Sequence, residues 1–309
     1  MRKEDKVKAI QEVINKYNRK AKRKGEESVI KFGKDFEGIT KYCRFGISTL
    51  DEVVGGVPCG QFTVIAGPEK AGKSSLCAKL MENVQKRNGT VVIVDAEHQL
   101  DKGWLTCQGV NVDDLLIIDD SFLEPTLDKV RDLLATKAVN LLVVDSISAL
   151  GSLQELQDKK GMRSMEDNTI AVQARKISQF FRMSVGLTGK AKCAVVLIAQ
   201  IRTNIMLYGN LETIPGGKAL EHYCSLRLRV RRGAKSVAPK GEVNGKEMPI
   251  GFRCIVKLDK KRNVKSAMEG TEVALPFYFD KGFTGEAAIL KGQLLQEETE
   301  AEKEEENSW

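Results

Sequence analysis

Histidine is scarce in this 309-residue chain, with only His98 and His222. The seven cysteines, Cys43, Cys59, Cys77, Cys107, Cys193, Cys224 and Cys254, are scattered and form no C-x-x-C pair. A zinc site therefore lacks both the ligand types and the spacing it requires. Several cysteines sit in apolar stretches such as "CAVVLIAQ", which suits reduced, buried thiols and a cytoplasmic protein. No apolar run reaches the roughly 18–20 residues of a membrane span. The opening "MRKEDKVKAI" has charge but no apolar core, so no secretory signal is expected. No internal repeat is visible.

What is present is a chain with enough apolar residues, 42%, to bury one large core with small appendages. Its charge is uneven. Glu297 to Trp309 holds seven glutamates and one lysine, a net of −6, so the rest of the chain carries +13 against an overall +7. A basic body with an acidic tail points to a polyanionic partner and an internal competitor for it.

Residues 5 to 24 read as a helix, with Val7, Ile10, Val13, Ile14 and Tyr17 at three- and four-residue spacing among basic residues. "RKAKRKGEES" breaks the pattern, with Gly25 as a helix stop. Such an apolar stripe needs a surface to cover, on its own domain or on a neighbouring subunit. From residue 60 onward the nearly continuous apolar runs "FTVIAG", "TVVIVDAE", "LLIIDD", "LLVVDS" and "CAVVLIAQ" read as strands buried on both faces. Helical stretches begin near Lys73, Glu124 and Thr169. This alternation predicts a mostly parallel sheet with helices on both faces. "SLRLRVRRG", "FRCIVKLDKKR" and "EVALPFYFDKGF" follow without long helices, as an antiparallel extension of that sheet.

The stretch "GPEKAGKSSL" carries the spacing G-x-x-x-x-G-K-S between a strand and a helix. Gly67, Pro68, Glu69, Lys70, Ala71, Gly72, Lys73, Ser74 and Ser75 form the expected phosphate cradle. Glycines let backbone N–H groups converge on phosphate, and the helix N-terminus adds its positive dipole end. Lys73 supplies a point charge and the Ser74 hydroxyl a Mg²⁺ ligand. Asp145 closes the strand "NLLVVDS" and places a carboxylate where it can hold the metal's water shell. "VVIVDAEHQLD" offers Asp95 and Glu97 at a strand end. Glu97 projects further into the crevice and is the candidate for activating water.

Together these residues resemble the RecA-type recombinases of bacteria and their phage-encoded relatives. The match runs in unbroken order through "ISTLDEVVGGVPCGQ", "GPEKAGKSS", "DAEHQLD", "LLVVDSISAL", "IAQIRTN" and "YGNLETIPGGKALEHYCSLRLRVRR", roughly residues 28 to 280. The resemblance implies an α/β fold, a RecA-like P-loop ATPase core with a mostly parallel central sheet, an antiparallel extension and helices on both faces. It implies ATP and Mg²⁺ as cofactors, with Glu97, Lys73 and Gln200 catalytic. Asp101 and Trp104 fall where the family contacts and stacks on adenine, Trp replacing the more usual tyrosine. Gln200 matches a glutamine that senses the γ-phosphate, and Ala199 stands before it where bacterial RecA carries an amide. Lys260 and Arg262 fall where the family reaches across to a neighbour's ATP, the second position usually being lysine.

Two segments resemble the family's DNA loops, about Ser152 to Asn168 and Thr203 to Pro215, the latter followed by Gly216 and Gly217. Charged, glycine-bearing loops of this length are uncommon in a compact core unless functional. In the helix after the first, Ile170, Ala174, Ile177 and Phe181 form an apolar stripe, and Arg175, Ser178, Gln179 and Arg182 form a second face suited to a phosphate backbone. DNA contacts are thus expected at Met162, Arg163, Arg175, Ser178, Arg182, Arg202, Gly216 and Gly217, with Met206 another side chain able to wedge between bases. The expected division is an N-terminal helix and basic linker over 1–27 as polymerisation arm, an ATPase and DNA-binding core over 28–285, and an acidic, disordered tail over 286–309. The small C-terminal domain of bacterial RecA has no counterpart in the mostly charged residues after "YFDKGFTGEAAI".

The implied activity is a DNA-dependent ATPase that forms helical filaments on single-stranded DNA and pairs it with a homologous duplex. Single-strand-binding and loader proteins are implied partners, and the setting is the cytoplasm, on the nucleoid, of a bacterial or phage-infected cell. Two other readings share the fold: an ATP-binding recombination mediator and a hexameric motor. Glu97, both loops and the Lys260–Arg262 pair favour the recombinase over the mediator, and the lack of a helicase or second ATPase domain disfavours the motor.

Overall fold

A computed structural model describes residues 2–23, 25, 30–33, 38, 41–153, 157–158, 161–162, 170–204, 211–213, 218–243, 245–262, 269–284 and 287–290. The chain divides into two compact units, 1–40 and 41–309. In the first, α1 spans Lys3–Arg23, acidic in its first turn and basic in its last, the order that suits the helix dipole. Gly25 adopts φ +69° and its N–H donates to Lys22 O at 3.1 Å, a left-handed helix stop. Asn18 exchanges two hydrogen bonds with the backbone of Ile30, at 3.0 and 3.2 Å. Ile14 and Ala21 are buried, whereas Val7, Ile10, Val13 and Tyr17 are about half exposed.

The second unit opens with β1 (Tyr42–Cys43), α2 (Ser48–Val54) and β2 (Val57–Pro58). The alternation then runs β3 (Phe62–Gly67), α3 (Lys73–Gln85), β4 (Val91–Asp95), α4 (Lys102–Cys107), β5 (Leu115–Asp119), α5 (Leu123–Thr136) and β6 (Leu141–Asp145). A small hairpin, β7 (Gln157–Asp158) and β8 (Gly161–Met162), precedes α6 (Ile170–Ala191) and β9 (Ala194–Gln200). A second hairpin, β10 (Arg202–Asn204) and β11 (Leu211–Thr213), precedes α7 (Lys218–Tyr223) and β12 (Cys224–Arg232). After the ribbon β13 (Lys240–Val243) and β14 (Lys246–Pro249) come β15 (Gly251–Lys261), β16 (Glu272–Tyr278), β17 (Gly282–Phe283) and β18 (Ala288–Leu290).

Ten strands form one sheet in the order β17-β16-β15-β12-β3-β9-β6-β4-β5, with β18 beside β16. Its core follows from the period-two rule. Ile65, Ile93, Val143 and Val196 face the side covered by Leu76 and Leu80 of α3. Val64, Val92, Val144 and Val195 face the side covered by Leu127 of α5 and Phe181 of α6. Both faces are therefore dry, which is why these strands are apolar throughout. Among the described residues β5 is the edge strand at the far side, and Leu116 and Ile117 are exposed on it.

One detail of the extension differs from the sequence expectation. Cys224–Arg232 pairs parallel with β3, and the antiparallel part begins only with β15. The chain leaves β9 at the carboxyl edge and returns through α7 before β12 starts, so β12 repeats the direction of β3. Order also runs past residue 286: Ala288–Leu290 pairs with β16 and Leu290 is buried, because its apolar side chain covers Ile255 and Ala274.

Candidate functional site

The carboxyl ends of β3, β4, β6 and β9 meet at one edge of the sheet, where open α/β sheets hold their ligands. Gly67 ends β3, and a Cβ there would lie 2.1 Å from Val230 O of β12, so only glycine lets the loop start this deep. Lys70 (φ +57°) and Gly72 (φ +97°) turn the backbone into the left-handed region, the alternation that gathers N–H groups into an anion nest. Gly72 is also the N-cap of α3, with no side-chain cap and no acidic residue in the first turn. The helix N-terminus is thus left for a bound anion.

Lys73 is buried and its Nζ donates to Pro68 O at 2.5 Å. Burial holds its pKa below the usual lysine value, opposed by Asp145, Glu97 and Glu69. The Ser74 hydroxyl donates to Asp145, whose carboxyl is pushed up to about 6, first by burial and then by the neighbouring Glu97 and Asp95. A hydroxyl and a buried carboxylate side by side, beside a cationic phosphate cradle, are the hard oxygen donors Mg²⁺ takes. The residues present therefore fit a magnesium nucleotide.

The two carboxylates at the end of β4 and just beyond it have separate tasks. Asp95 accepts the N–H groups of Gln99 and Leu100, at 3.2 and 3.1 Å, and so shapes the loop. Glu97 instead accepts from Gln200 Nε2 at 3.2 Å and from Ser146 Oγ at 2.6 Å, both on Oε1. The structure thus brings together Glu97, Gln200, Lys73, Ser74 and Asp145, as the sequence predicts. His98, at φ +52°, ties the same loop to β5, with Nδ1 2.5 Å from Asp119 Oδ1 and Nε2 2.5 Å from Ser121 Oγ.

A cavity of about 490 Å³ adjoins the phosphate loop, within the size range of nucleotide pockets. Lys70, Lys73 and Ser74 line one side and Trp104, Arg232, Phe252 and Phe279 another. Asp101 Oδ1 accepts the Trp104 N–H at 2.6 Å and caps α4, so it fixes the helix that carries the indole. Arg232 lies over the Phe252 ring at 4.2 Å. Sequence reasoning missed Arg232, Phe252 and Phe279. Arg232 and Phe252 come from strands whose alternation announces only a strand, Phe279 comes from the turn after β16, and the sole hint was the aromatic density of "PFYFDKGF".

Lys260 and Arg262 do not join this site. Lys260 Nζ donates to Glu221 O at 2.5 Å and Arg262 Nη2 to His222 O at 2.6 Å, both on α7. Burial, then Arg262, lowers the Lys260 pKa. Through β12, Arg262 stands level with the start of β3: its N–H donates to Ser225 O, and Cys224 pairs with Phe62. That is five residues, about 17 Å, from the phosphate loop, too far for an arginine to reach its own chain's site.

Of the DNA-facing candidates, Arg175 and Arg182 are exposed along α6, whereas Ile177 and Phe181 are buried. Ser178 is half-buried and its hydroxyl donates to Ala174 O at 2.8 Å, so that donor is already engaged. Met162 lies in β8 and Arg202 in β10. Arg163, Met206, Gly216 and Gly217 fall outside the described residues.

The family model for the RecA N-terminal domain matches residues 8–283. The chain belongs to the RecA family. Protein RecA of Gluconobacter oxydans is 36% identical over 299 residues, covering 94% of this chain and 81% of that protein. Protein RecA of Caldanaerobacter subterraneus subsp. tengcongensis is 32% identical over 289 residues, covering 93% and 79%. Protein RecA of Borrelia hermsii is 36% identical over 280 residues, covering 87% and 73%. RecA-type recombinase membership and the RecA-like α/β fold thus stand together, and nothing among these relatives favours a mediator. Among the described residues, no helix is long and apolar enough to cross a membrane.

Proposed function

We propose that this chain is a DNA-dependent ATPase that assembles as a helical filament on single-stranded DNA and pairs it with a homologous duplex. The observation that carries this reading is the Gln200–Glu97 contact. Gln200 touches the candidate base, and two residues later Arg202 begins the β10–β11 hairpin, so a change at the phosphate site has a two-residue path to the DNA-facing segment.

In the proposed site, the phosphate loop and Lys73 hold the β- and γ-phosphates, while Ser74 and Asp145 hold Mg²⁺. The bound metal supplies charge neutralisation for phosphoryl transfer. Glu97 orients the attacking water and accepts its proton. Trp104 offers its face to the base, and Gln200 exchanges Glu97 for the terminal phosphate. Lys260 and Arg262 leave α7 to meet the triphosphate of a neighbouring copy, which makes the site whole only in a polymer. The exposed face of α1 and the uncovered strand β5 are apolar surfaces fit for such a copy. In this scheme residues 1–27 are the polymerisation arm, the core runs from 28 through β18, which ends at Leu290, and the residues beyond it are an acidic tail that competes for the DNA surface. Arg163, Arg175, Arg182 and Arg202 contact the phosphate backbone, with Met162, Ser178, Gly216 and Gly217 beside them. Single-strand-binding and loader proteins are its partners in the cytoplasm.

The test is ATP turnover with and without single-stranded DNA, paired with electron microscopy in a slowly hydrolysed ATP analogue. Turnover should rise sharply with DNA, helical filaments should form, and Lys73→Ala or Glu97→Gln should abolish turnover. Turnover indifferent to DNA would leave the mediator reading in its place.

A further inference from the structure

We infer that Ser146 is a positioning residue that keeps Glu97 aimed when Gln200 leaves it; this rests on the hydrolytic reading above. Ser146 is fully buried, and its Oγ donates to Glu97 Oε1 at 2.6 Å. Gln200 Nε2 donates to the same oxygen at 3.2 Å. With both donors on Oε1, Oε2 is the oxygen this reading assigns to the attacking water.

The two donors are anchored differently. Ser146 follows Asp145 at the end of β6, in a junction tied on several sides. Ala96 N–H donates to Asp145 O at 2.9 Å, Ile147 N–H to Ile198 O at 3.1 Å and Ala149 N–H to Ser146 O at 3.1 Å. These bonds join β4's exit, β6 and β9 around the serine. A short side chain in such a junction has little freedom to lose. Gln200 is the half-buried last residue of β9; its backbone is paired with Gly67 of β3, and Ile201 N–H donates to Gly67 O at 3.1 Å, so its freedom lies in its side chain. Its longer side chain can therefore turn to another acceptor while Ser146 stays.

The consequence is specific. Without DNA, Gln200 and Ser146 both restrain Glu97, so losing the serine is partly covered. In the state where Gln200 has turned to the terminal phosphate, Ser146 is the remaining restraint. Its removal should therefore reduce DNA-stimulated turnover more than DNA-free turnover, and reduce kcat rather than raise KM.

The experiment measures kcat and KM for ATP, with and without single-stranded DNA, for wild type, Ser146→Ala and Ser146→Thr, alongside single-stranded DNA affinity by fluorescence anisotropy. Ser146→Ala should lose about tenfold in DNA-stimulated kcat, with a smaller loss in the DNA-free rate and little change in KM or DNA affinity. Ser146→Thr, which keeps the hydroxyl, should recover most of the loss. If Ser146→Ala does not fold, Ser146→Cys substitutes a weaker donor of similar size and should fall between wild type and an unstimulated rate. A wild-type rate stimulated by DNA with an unchanged stimulation ratio in the serine variants overturns this role alone. A wild type that DNA does not stimulate overturns the hydrolytic reading, and this role with it.

Discussion

Strands β4, β6 and β9 hold apolar side chains until their last residues, and β3 does so apart from the buried Thr63, whereas β12 sets an arginine at every second position from Arg227 to Arg231. In the parallel strands, polar chemistry arrives at Gly67, Asp95, Asp145 and Gln200. In β12, Arg227, Arg229 and Arg231 alternate with buried Leu226, Leu228 and Val230. The cause is the covering of the faces. Strands dry on both sides can place a charge only where the sheet ends, and that concentrates catalytic groups on one edge. Strands with one wetter face can carry ion pairs along their length, where the charges serve register and solubility. The same sheet thus separates a reactive edge from a tolerant face, and substitutions should show that separation.

The largest effect should come from Asp145, a charge the buried half carries at an energetic disadvantage. Its carboxyl is raised from 3.8 to about 6, chiefly by burial. Between those values the folded chain binds more protons than the unfolded one, so its stability contribution is full below 3.8 and lost as pH rises through about 6. Asp145→Asn should therefore raise the Tm of the nucleotide-free protein at pH 7 and flatten the rise in Tm on acidification from pH 7 to 5. It should also cost at least about a hundredfold in Mg²⁺-dependent turnover. Thermal melts across pH and a turnover assay check both limbs. A variant both less stable and inactive would mean that Asp145 is structural.

This contrast explains what could be read in the sequence. A strand buried on both faces writes itself as a contiguous apolar run ending in its functional residue, so Gly67 and Asp145 were legible with their elements. Glu97, two residues past β4, was one of two candidate carboxylates, and Gln200 was named only through the family resemblance. The aromatic wall of the pocket was not legible. Phe252 and Phe279 lie far from the phosphate loop in sequence; Phe252 sits in an alternation like that of any half-buried strand, and Phe279 stands in the turn after β16. Short α2 and α4 were also unread, since six or seven residues carry too little periodicity. The direction of β12 escaped because a strand's pattern does not encode its polarity. Lys260 and Arg262 were visible as a basic pair, but their docking on α7 depends on register across β12 and β15, which no local pattern records.

That pair gives the intermediate effect, because it belongs to the tolerant half yet is assigned to a reactive site in a neighbour. Lys260→Ala should lower turnover about tenfold or more, with nucleotide binding to the isolated chain retained. A mixing experiment isolates the reason. Lys260→Ala chains keep Glu97, and Glu97→Gln chains keep Lys260, so a mixture of the two impaired proteins should turn over faster than either alone at interfaces joining the intact halves. A mixture no faster would return Lys260 to the role of an α7 anchor and weaken the division between edge and face.

The smallest effect should lie within β12 and β15 themselves. Arg227 Nε stands 2.7 Å from Asp259 Oδ2, an ion pair without hydrogen-bond alignment, and Arg229 Nη2 reaches the same oxygen at 3.5 Å. Removing one arginine leaves Asp259 with the other, in partly solvated surroundings, so Arg227→Ala should cost under about 1 kcal/mol. Removing the carboxylate is worse, because it takes the shared ion-pair partner from two arginines at once, and Arg227 then keeps only the longer contact to Glu221, at 3.9 Å, among its described acidic neighbours. Asp259→Ala should therefore cost about 1–2 kcal/mol, more than either single arginine variant. Urea unfolding of the three variants orders these losses, and raising salt should narrow the gap because it screens the arginine pair. ATP turnover per folded molecule should stay unchanged in Arg227→Ala. A loss there would place catalytic work on the tolerant face and erase the distinction between the two halves.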